Sequence, residues 1–262
     1  MIGAKELSKK FVRNLSKEKS KKIGMTKQEF YAVDHVSFEA NPGEIMGILG
    51  ANGAGKTTLL RMLGQLMTPD SGEVLLADAN GEPVTNSLEK KRRIGYLSGN
   101  TKLYQRVSAR ELLKMFGNLY GMEKQECEKR TAEIIEMLDM AAFADNRIEK
   151  LSTGQTQRVN IARCIVHNPD IYIFDEPTLG LDILSSESIL SFMKKERERG
   201  KTVLYSTHYM EEAQYLCDRI TMLHKGCVIA QGTPQELMEK TQTNNLRDTF
   251  RALVIKEGEA DE

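Results

Sequence analysis

Apolar and polar positions alternate with two different periods along this chain, and the periods predict its elements. A short apolar run bounded by glycines, Ile45–Leu49, predicts a buried strand. Residues 57–67 place leucine and methionine on one side and predict a helix, which the turn signal at residues 68–72 ends. Strand, glycine-rich loop and helix in this order are typical of a βα unit in a parallel sheet.

Strand patterns on either side enclose a long helical stretch. Residues 32–38 alternate like a strand, whereas residues 107–145 carry apolar side chains at helical spacing. Strand-like runs resume at residues 171–174 and 203–205. We therefore expect an α/β core that is interrupted by an inserted helical segment.

Composition and charge exclude several classes of function. The 262 residues include 37 Lys or Arg and 37 Asp or Glu, so the chain lacks the positive charge of a dedicated nucleic-acid binder. Its four cysteines are scattered without a C-x-x-C pair, which predicts free thiols and neither a metal framework nor disulfides. No apolar run approaches the ~20 residues that span a bilayer, and no signal peptide is evident, so we expect a cytoplasmic location.

The first 30 residues are basic, with nine Lys or Arg against three Glu, and the densest run lies at residues 17–27. A solvated loop is the simplest interpretation of this run. The alternative is a surface attracted to the anionic inner leaflet of a membrane, where each basic residue contributes about 1 kcal/mol.

Residues 50–57 match G-x-x-x-x-G-K-[ST], the P-loop pattern. Glycines let the backbone curl so that its N–H groups point at phosphate oxygens, and the following helix adds its positive end. Lys56 is expected to reach the β- and γ-phosphates of a nucleotide, and the Thr57 hydroxyl to coordinate Mg²⁺. The residues predicted to bind the nucleotide here are Asn52, Gly53, Ala54, Gly55, Lys56, Thr57 and Thr58.

Two carboxylates follow the apolar run at residues 171–174, and this pair is the second strong signal. Ligands of open α/β sheets bind at the carboxyl ends of strands. Asp175 is therefore expected to hold Mg²⁺, and Glu176 to act as the base for an attacking water.

Residues 151–155, Leu-Ser-Thr-Gly-Gln, precede the acidic strand by about 20 positions. They resemble the LSGGQ signature of the ABC ATPases, an element that other P-loop ATPases lack. The resemblance implies that Ser152, Gly154 and Gln155 contact the ATP held by a second cassette, through a hydroxyl, backbone N–H groups and a helix dipole. A helix N-cap at Ser152 is compatible with that role.

Two further segments resemble elements of the same family. Residues 179–182 are similar to the D-loop, which places Asp182 at the interface between cassettes. Residues 206–208 are similar to the switch-histidine loop, so the resemblance gives His208 a catalytic role. The remaining histidines, His35, His167 and His224, lack such a context and are interpreted as structural.

The resemblance implies a P-loop NTPase cassette with a mostly parallel core sheet, an N-terminal antiparallel β part and an inserted helical lobe. One nucleotide-binding domain is expected over residues 1–240, with its core at 1–86 and 161–240 and the signature lobe at 87–160. A C-terminal helix and an acidic tail are expected at residues 241–262. Residues 94–101 and 163–169 are similar to the NatA-type cassettes of sodium-extruding and related exporters.

Three positions depart from the family pattern or leave alternatives open. Thr153 stands where the signature has its first glycine. The glutamine of the Q-loop is replaced by Ser98 or Gly99, so either Asn100 substitutes or water makes the metal contact. The aromatic ring that stacks on adenine is expected at Phe11, with Phe30 and Tyr31 as the alternatives.

The family implies an ATP- and Mg²⁺-dependent ATPase that pairs head-to-tail with a second cassette, either an identical copy or a close paralogue. It would drive export through a separate transmembrane permease at the cytoplasmic face of the membrane, docking near residues 96–120. The cargo is left open between Na⁺, drugs, lipids and peptides. A non-transport ABC ATPase acting on nucleic acid or ribosomes is the alternative, which the neutral charge and single cassette disfavour. The intact Lys56, Asp175, Glu176 and His208 disfavour an idle switch.

Overall fold

The computed structural model describes residues 1–14, 27–78, 80–99 and 101–260, with side chains up to residue 256. The strands are β1 (Ile2–Asn14), β2 (Lys27–Ala40), β3 (Ile45–Leu49), β4 (Ser71–Leu76), β5 (Ile94–Leu97), β6 (Ile171–Asp175), β7 (Thr202–Thr207), β8 (Arg219–His224) and β9 (Cys227–Gly232). The helices are α1 (Lys56–Leu63), α2 (Ser87–Arg92), α3 (Ala109–Leu119), α4 (Lys124–Met137), α5 (Thr153–Ile165), α6 (Ile183–Glu198), α7 (Met210–Leu216), α8 (Pro234–Thr241) and α9 (Leu246–Ala260).

The chain divides into two compact units. The first unit comprises Met1–Glu39, Gly47–Val84 and His208–Glu262, and the second comprises Ala40–Met46 and Thr85–Thr207. The basic run predicted at residues 17–27 lies almost wholly outside the described residues, as does Asn100.

The first unit contains the antiparallel β part. β1 pairs antiparallel with β4, with Ile2 opposite Leu76, and β2 lies on the other side of β1. β8 and β9 form a second antiparallel pair. The predicted N-terminal antiparallel part is confirmed.

The second unit holds parallel strands in the order β5-β6-β7. Every residue of β6 is buried, which explains why its sequence is a continuous apolar run and does not alternate. Ile171 pairs with Thr202, so β6 and β7 run side by side in register. Because the strands are parallel, the last residues of β6 and β7 meet at one edge.

Local signals fix the helix ends in this fold. Ser108 and Glu111 form a capping box that starts α3. The predicted helix over residues 57–67 begins one residue earlier and ends at Leu63, because Gly64 follows it and Gln65 takes a positive φ of 57°. In the described parts of the chain, no helix combines the length and the apolar character needed to cross a membrane.

Candidate nucleotide-binding and hydrolysis site

The P-loop connects β3 to α1 within the first unit, and its lysine lies inside the loop. The Lys56 side chain is 5% exposed and donates from Nζ to the carbonyl oxygens of Gly50, at 2.8 Å, and Ala51, at 3.2 Å. The loop therefore wraps its own backbone around a positive charge. An incoming phosphate oxygen would meet an ammonium group that is already positioned and largely desolvated.

Neighbouring strands hold the curled loop in place. Gly55 has a φ of 104°, and a Cβ at this position would collide with the carbonyl oxygen of Ala32 in β2. The N–H of Gly226, in the turn between β8 and β9, donates to the carbonyl of Ala54 at 3.1 Å. Only glycine satisfies both the left-handed φ and the close approach at residue 55.

The other P-loop residues predicted to bind nucleotide differ in exposure. Ala54 is buried and Thr58 is half-buried. Asn52, Gly53 and Thr57 are exposed, so the Thr57 hydroxyl is available to a ligand at the start of α1.

The predicted acidic pair lies where β6 ends, in the second unit. Asp175 is 4% exposed, and its Oδ1 accepts a hydrogen bond from the Ser206 hydroxyl at 2.7 Å. The backbone N–H of Glu176 contacts both the carbonyl and the hydroxyl oxygen of Ser206 at 3.1 Å. Ser206, on β7, thus fixes the position of both acidic residues.

Glu176 has a left-handed backbone, with a φ of 50°. A non-glycine residue in this region is strained by about 1–3 kcal/mol and persists only where its surroundings impose it. Here the two contacts with Ser206 hold the peptide, so the chain turns sharply directly after the buried aspartate.

The position of the missing Q-loop glutamine lies beside the same strand end. β5 ends at Leu97, and the carbonyl of Ser98 accepts hydrogen bonds from the N–H and hydroxyl of Thr101. A Cβ at Gly99 would be 3.5 Å from the carbonyl oxygen of Asp175, an ordinary contact distance. Gly99 therefore lies next to the backbone of the acidic pair, within ordinary contact distance of Asp175.

The signature segment forms the start of α5. Ser152 and Gln155 make a capping box: the Gln155 N–H donates to Ser152 Oγ at 3.2 Å, and the Ser152 N–H donates to Gln155 Oε1 at 3.0 Å. Thr153 is the first helical residue and is exposed. The departure from glycine therefore leaves the helix start intact.

Gly154 packs against the first turn of α6, directly after the D-loop. A Cβ at Gly154 would be 2.5 Å from the Ser185 hydroxyl, so a larger residue at 154 would force the Ser185 side chain to shift. Asp182 caps α6, accepting from the Ser185 N–H at 2.9 Å and from its hydroxyl at 2.8 Å. The backbone hydrogen bond from Ser185 lowers the pKa of Asp182, which keeps this carboxyl ionised.

Apolar side chains are exposed around this capping aspartate. Leu179, Ile183 and Leu184 are 51%, 75% and 76% exposed. Gln157 of α5 donates to the carbonyl of Pro177 at 2.7 Å, which ties the signature helix to the loop after β6. The second unit thus presents the signature, the D-loop and the acidic pair on directly linked segments.

His208 follows β7 and lies in the first unit, half-buried, with its ring centroid 4.2 Å from that of Tyr209. The three aromatic candidates for adenine stacking are also in this unit. Phe11 and Phe30 lie 6.2 Å apart, and the Lys10 ammonium lies 4.7 Å from the centre of the Tyr31 ring. All three rings are between 37% and 39% exposed, so exposure does not distinguish them.

Thr57 in the first unit and Asp175 in the second each offer an oxygen donor, the kind of ligand that Mg²⁺ prefers. Among the described residues, no three His, Cys, Asp or Glu side chains cluster into a metal-binding group. All four cysteines are free.

Motif reasoning included Ser206 in the switch-histidine segment but gave it no role in the site. It stands two positions before His208, but its contact with Asp175 joins residues 31 positions apart and depends on the pairing of β6 with β7. The signals for this residue were its place at the end of a core strand and in the segment that resembles the switch-histidine loop.

Comparison with known proteins agrees with these features. A family model described as ABC transporter matches residues 33–179. The ABC transporter ATP-binding protein NatA of Bacillus subtilis (strain 168) is 40% identical over 238 residues, which cover 90% of this chain and 96% of that protein. The Nod factor export ATP-binding protein I of Paraburkholderia xenovorans (strain LB400) is 38% identical, over 83% of this chain and 71% of its own length.

A solved structure shows the same fold. The dimeric post-hydrolysis state of the ATP-binding cassette MJ0796, bound to ADP and Pi, matches with a TM-score of 0.73 and 29% identity, over 89% of this chain and 98% of that one. Together with the P-loop, the acidic strand end and the signature helix, these matches show that the chain belongs to the ABC transporter family as one of its ATP-binding, ATP-hydrolysing proteins.

Proposed function

We propose that the chain hydrolyses Mg²⁺-ATP and thereby drives export through a separate transmembrane permease. The observation that carries the proposal is the strained Glu176, held by Ser206 directly after the buried Asp175. Such strain indicates a residue whose position matters for function more than for folding. A relative whose name includes export, the Nod factor protein, supports the direction of transport.

In this proposal, the P-loop binds the nucleotide. Lys56 exchanges its present carbonyl partners for the β- and γ-phosphates, and Thr57 and Asp175 hold Mg²⁺, which neutralises phosphate charge when bound. Asn52, Gly53, Ala54, Gly55 and Thr58 complete the binding residues. Phe11 is the proposed adenine-stacking residue, with Phe30 and Tyr31 as alternatives.

Hydrolysis uses Glu176 and His208. Glu176 orients a water molecule and accepts its proton as the water attacks the γ-phosphate. His208 contacts the γ-phosphate and steadies it during the transfer. Lys56 stabilises the charge that develops on the phosphate oxygens.

Two cassettes enclose each ATP in the proposed active state. Ser152, Gly154 and Gln155 present a helix N-terminus to the ATP of the opposite cassette, and Asp182 lies at the interface. ATP binds the closed pair more tightly than the open one, and ADP does not. This difference in affinity between the two states moves the permease. The exposed apolar side chains Leu179, Ile183 and Leu184 would be covered in the closed pair.

The permease would hold the chain at the cytoplasmic face of the membrane, with residues 96–120 as the docking region. Na⁺, drugs, lipids and peptides are the cargo classes that stay open. The second cassette is an identical copy or a close paralogue. We also propose that the chain divides into three parts. These are a core (1–86 and 161–240), a signature lobe (87–160) and a tail (241–262).

A direct test compares ATP hydrolysis by the wild-type chain with Lys56→Ala and Glu176→Gln. We expect Glu176→Gln to lower kcat at least about 100-fold and to retain ATP binding, because a general base contributes roughly 10²–10⁴. Lys56→Ala should lose binding. Glu187→Gln, which neutralises an exposed carboxylate on α6, is the matched control. Normal hydrolysis by Glu176→Gln would refute the assignment.

A further inference from the structure

The C-terminal helix α9 lies against α7, the short helix that begins two residues after His208. The buried Leu246 donates its N–H to Oε1 of Gln214 at 3.1 Å. Arg247 donates from Nη2 to Oε1 of Glu211 at 2.7 Å. The first turn of α9 therefore contacts both the beginning and the middle of α7.

A second contact of α9 is with the end of β8, which lies beside the P-loop. The Phe250 ring meets the ring of His224 edge-on, with centroids 6.4 Å apart. His224 ends β8, and a Cβ at Gly50 of the P-loop would collide with the carbonyl oxygen of the preceding Leu223. α9 thus contacts α7, which follows His208, and the end of β8, which lies beside the P-loop.

The start of α9 is rigidly held. Thr249 is fully buried, and its hydroxyl lies 2.6 Å from that of Thr243 and 3.3 Å from that of Thr241, at the end of α8. Asn245 caps the helix by accepting from the Asp248 N–H at 2.9 Å. These contacts fix the angle between α8 and α9, so Leu246 and Arg247 are presented to α7 from an ordered turn.

By contrast, α7 has little intrinsic stability. It contains seven residues, and its N-cap residue, Tyr209, makes no side-chain capping hydrogen bond. Isolated helices shorter than ~12 residues are marginal in water, so packing determines whether and where such a helix forms. The position of the segment after His208 therefore depends on what α7 packs against.

We propose that α9 positions His208, with Glu211, Gln214 and Arg247 as positioning residues that hold α7. The proposal rests on the proposed role of His208 in hydrolysis. Loss of the α7–α9 contacts lets the switch-histidine segment move and slows phosphate cleavage. ATP binding at the P-loop is retained.

Arg247→Glu tests this proposal, because it replaces the ion pair between Arg247 and Glu211 with two like charges. The pair is exposed and individually weak, so we expect kcat for ATP hydrolysis to fall about 3- to 5-fold while KM for ATP changes less than about 2-fold. The charge swap Glu211→Arg/Arg247→Glu should restore kcat. Arg251→Glu makes the same charge change on an exposed position of α9 and should leave kcat unchanged.

Gln214→Ala removes the acceptor of the Leu246 N–H and provides a second, independent variant. Combined with Arg247→Glu, it should lower kcat about 10-fold, with thermal unfolding measured in parallel. Unchanged kcat in the double variant overturns the inference, as does an equal loss in Arg251→Glu. If the double variant matches wild type while His208→Ala is inactive, the inference alone fails. If His208→Ala hydrolyses normally, the proposed role of His208 fails, and the inference fails with it.

Discussion

Individual residues at the strand ends combine burial with hydrogen bonds that join distant parts of the chain. Asp175 is buried yet bonded to Ser206, and Glu176 is held in a left-handed conformation by the same residue. Motif spacing predicted the two carboxylates but not their partner. A pattern records residue types along one segment, whereas the Ser206 contact requires the register of two parallel strands.

His167 illustrates a structural histidine, as its sequence context predicted. Its Nε2 lies 3.2 Å from the carbonyl of Ile94, which requires a proton on Nε2 in the neutral ring, and the ring stacks on Tyr120 at 3.9 Å. Burial lowers the pKa of His167 to about 4. Because the ordinary pKa is near 6.5, the native ring stays neutral at a pH where the unfolded chain is protonated.

The consequence is a loss of stability in acid. The unfolded state binds the extra proton between about pH 6.5 and 4, so the free energy of unfolding falls as the pH falls through that window. His167→Gln should reduce the drop in Tm between pH 7 and pH 5 by about 2–4 °C, measured by thermal unfolding. His35→Gln, at an exposed histidine, serves as the control. An unaltered pH dependence in His167→Gln would contradict the buried neutral ring.

The secondary-structure elements differ in how clearly the sequence predicts them. β3, α1 and β6 were predicted because each has a buried, patterned apolar face. α2 was missed: none of its residues is buried, so no hydrophobic periodicity marks it, and Asn86 supplies its start by accepting from Leu88 and Glu89. Capping residues thus carry information that periodicity lacks.

Two capping boxes allow a paired test of the signature helix. Ser152 with Gln155 caps α5, and Thr233 with Glu236 caps α8. Ser152→Ala and Thr233→Ala should each lower the free energy of unfolding by about 1 kcal/mol, measured in denaturant. Only Ser152→Ala should lower ATPase activity, because Ser152 also contacts the opposite ATP in the proposed function. Equal ATPase activity in the two variants would show that Ser152 only caps the helix and does not contact the opposite ATP.

At the scale of the whole molecule, the predicted fold class is confirmed by the parallel strands β5-β6-β7, the antiparallel N-terminal part and the matching solved cassette. Sequence reasoning favoured Phe11 as the ring that stacks on adenine and left Phe30 and Tyr31 as alternatives. All three lie on two adjacent strands, which makes them near neighbours in space despite their separation along the chain.

Pairing of two cassettes depends on surfaces that an isolated copy exposes. Leu184 is 76% exposed beside the D-loop, and Leu119 at the end of α3 is 78% exposed. An aspartate at either position removes a similar apolar area, but only the Leu184 surface belongs to the proposed ATP-dependent pair. Leu184→Asp should therefore weaken pairing, and Leu119→Asp should not.

The most direct measurement is the molar mass of the Glu176→Gln protein by light scattering, with and without Mg²⁺-ATP. We expect a shift from monomer to dimer on adding ATP. Ser152→Arg should abolish the shift, and Leu184→Asp should weaken it more than Leu119→Asp. A Glu176→Gln protein that binds ATP and remains monomeric at about 100 μM would contradict the proposal that the signature of one cassette completes the site of the other.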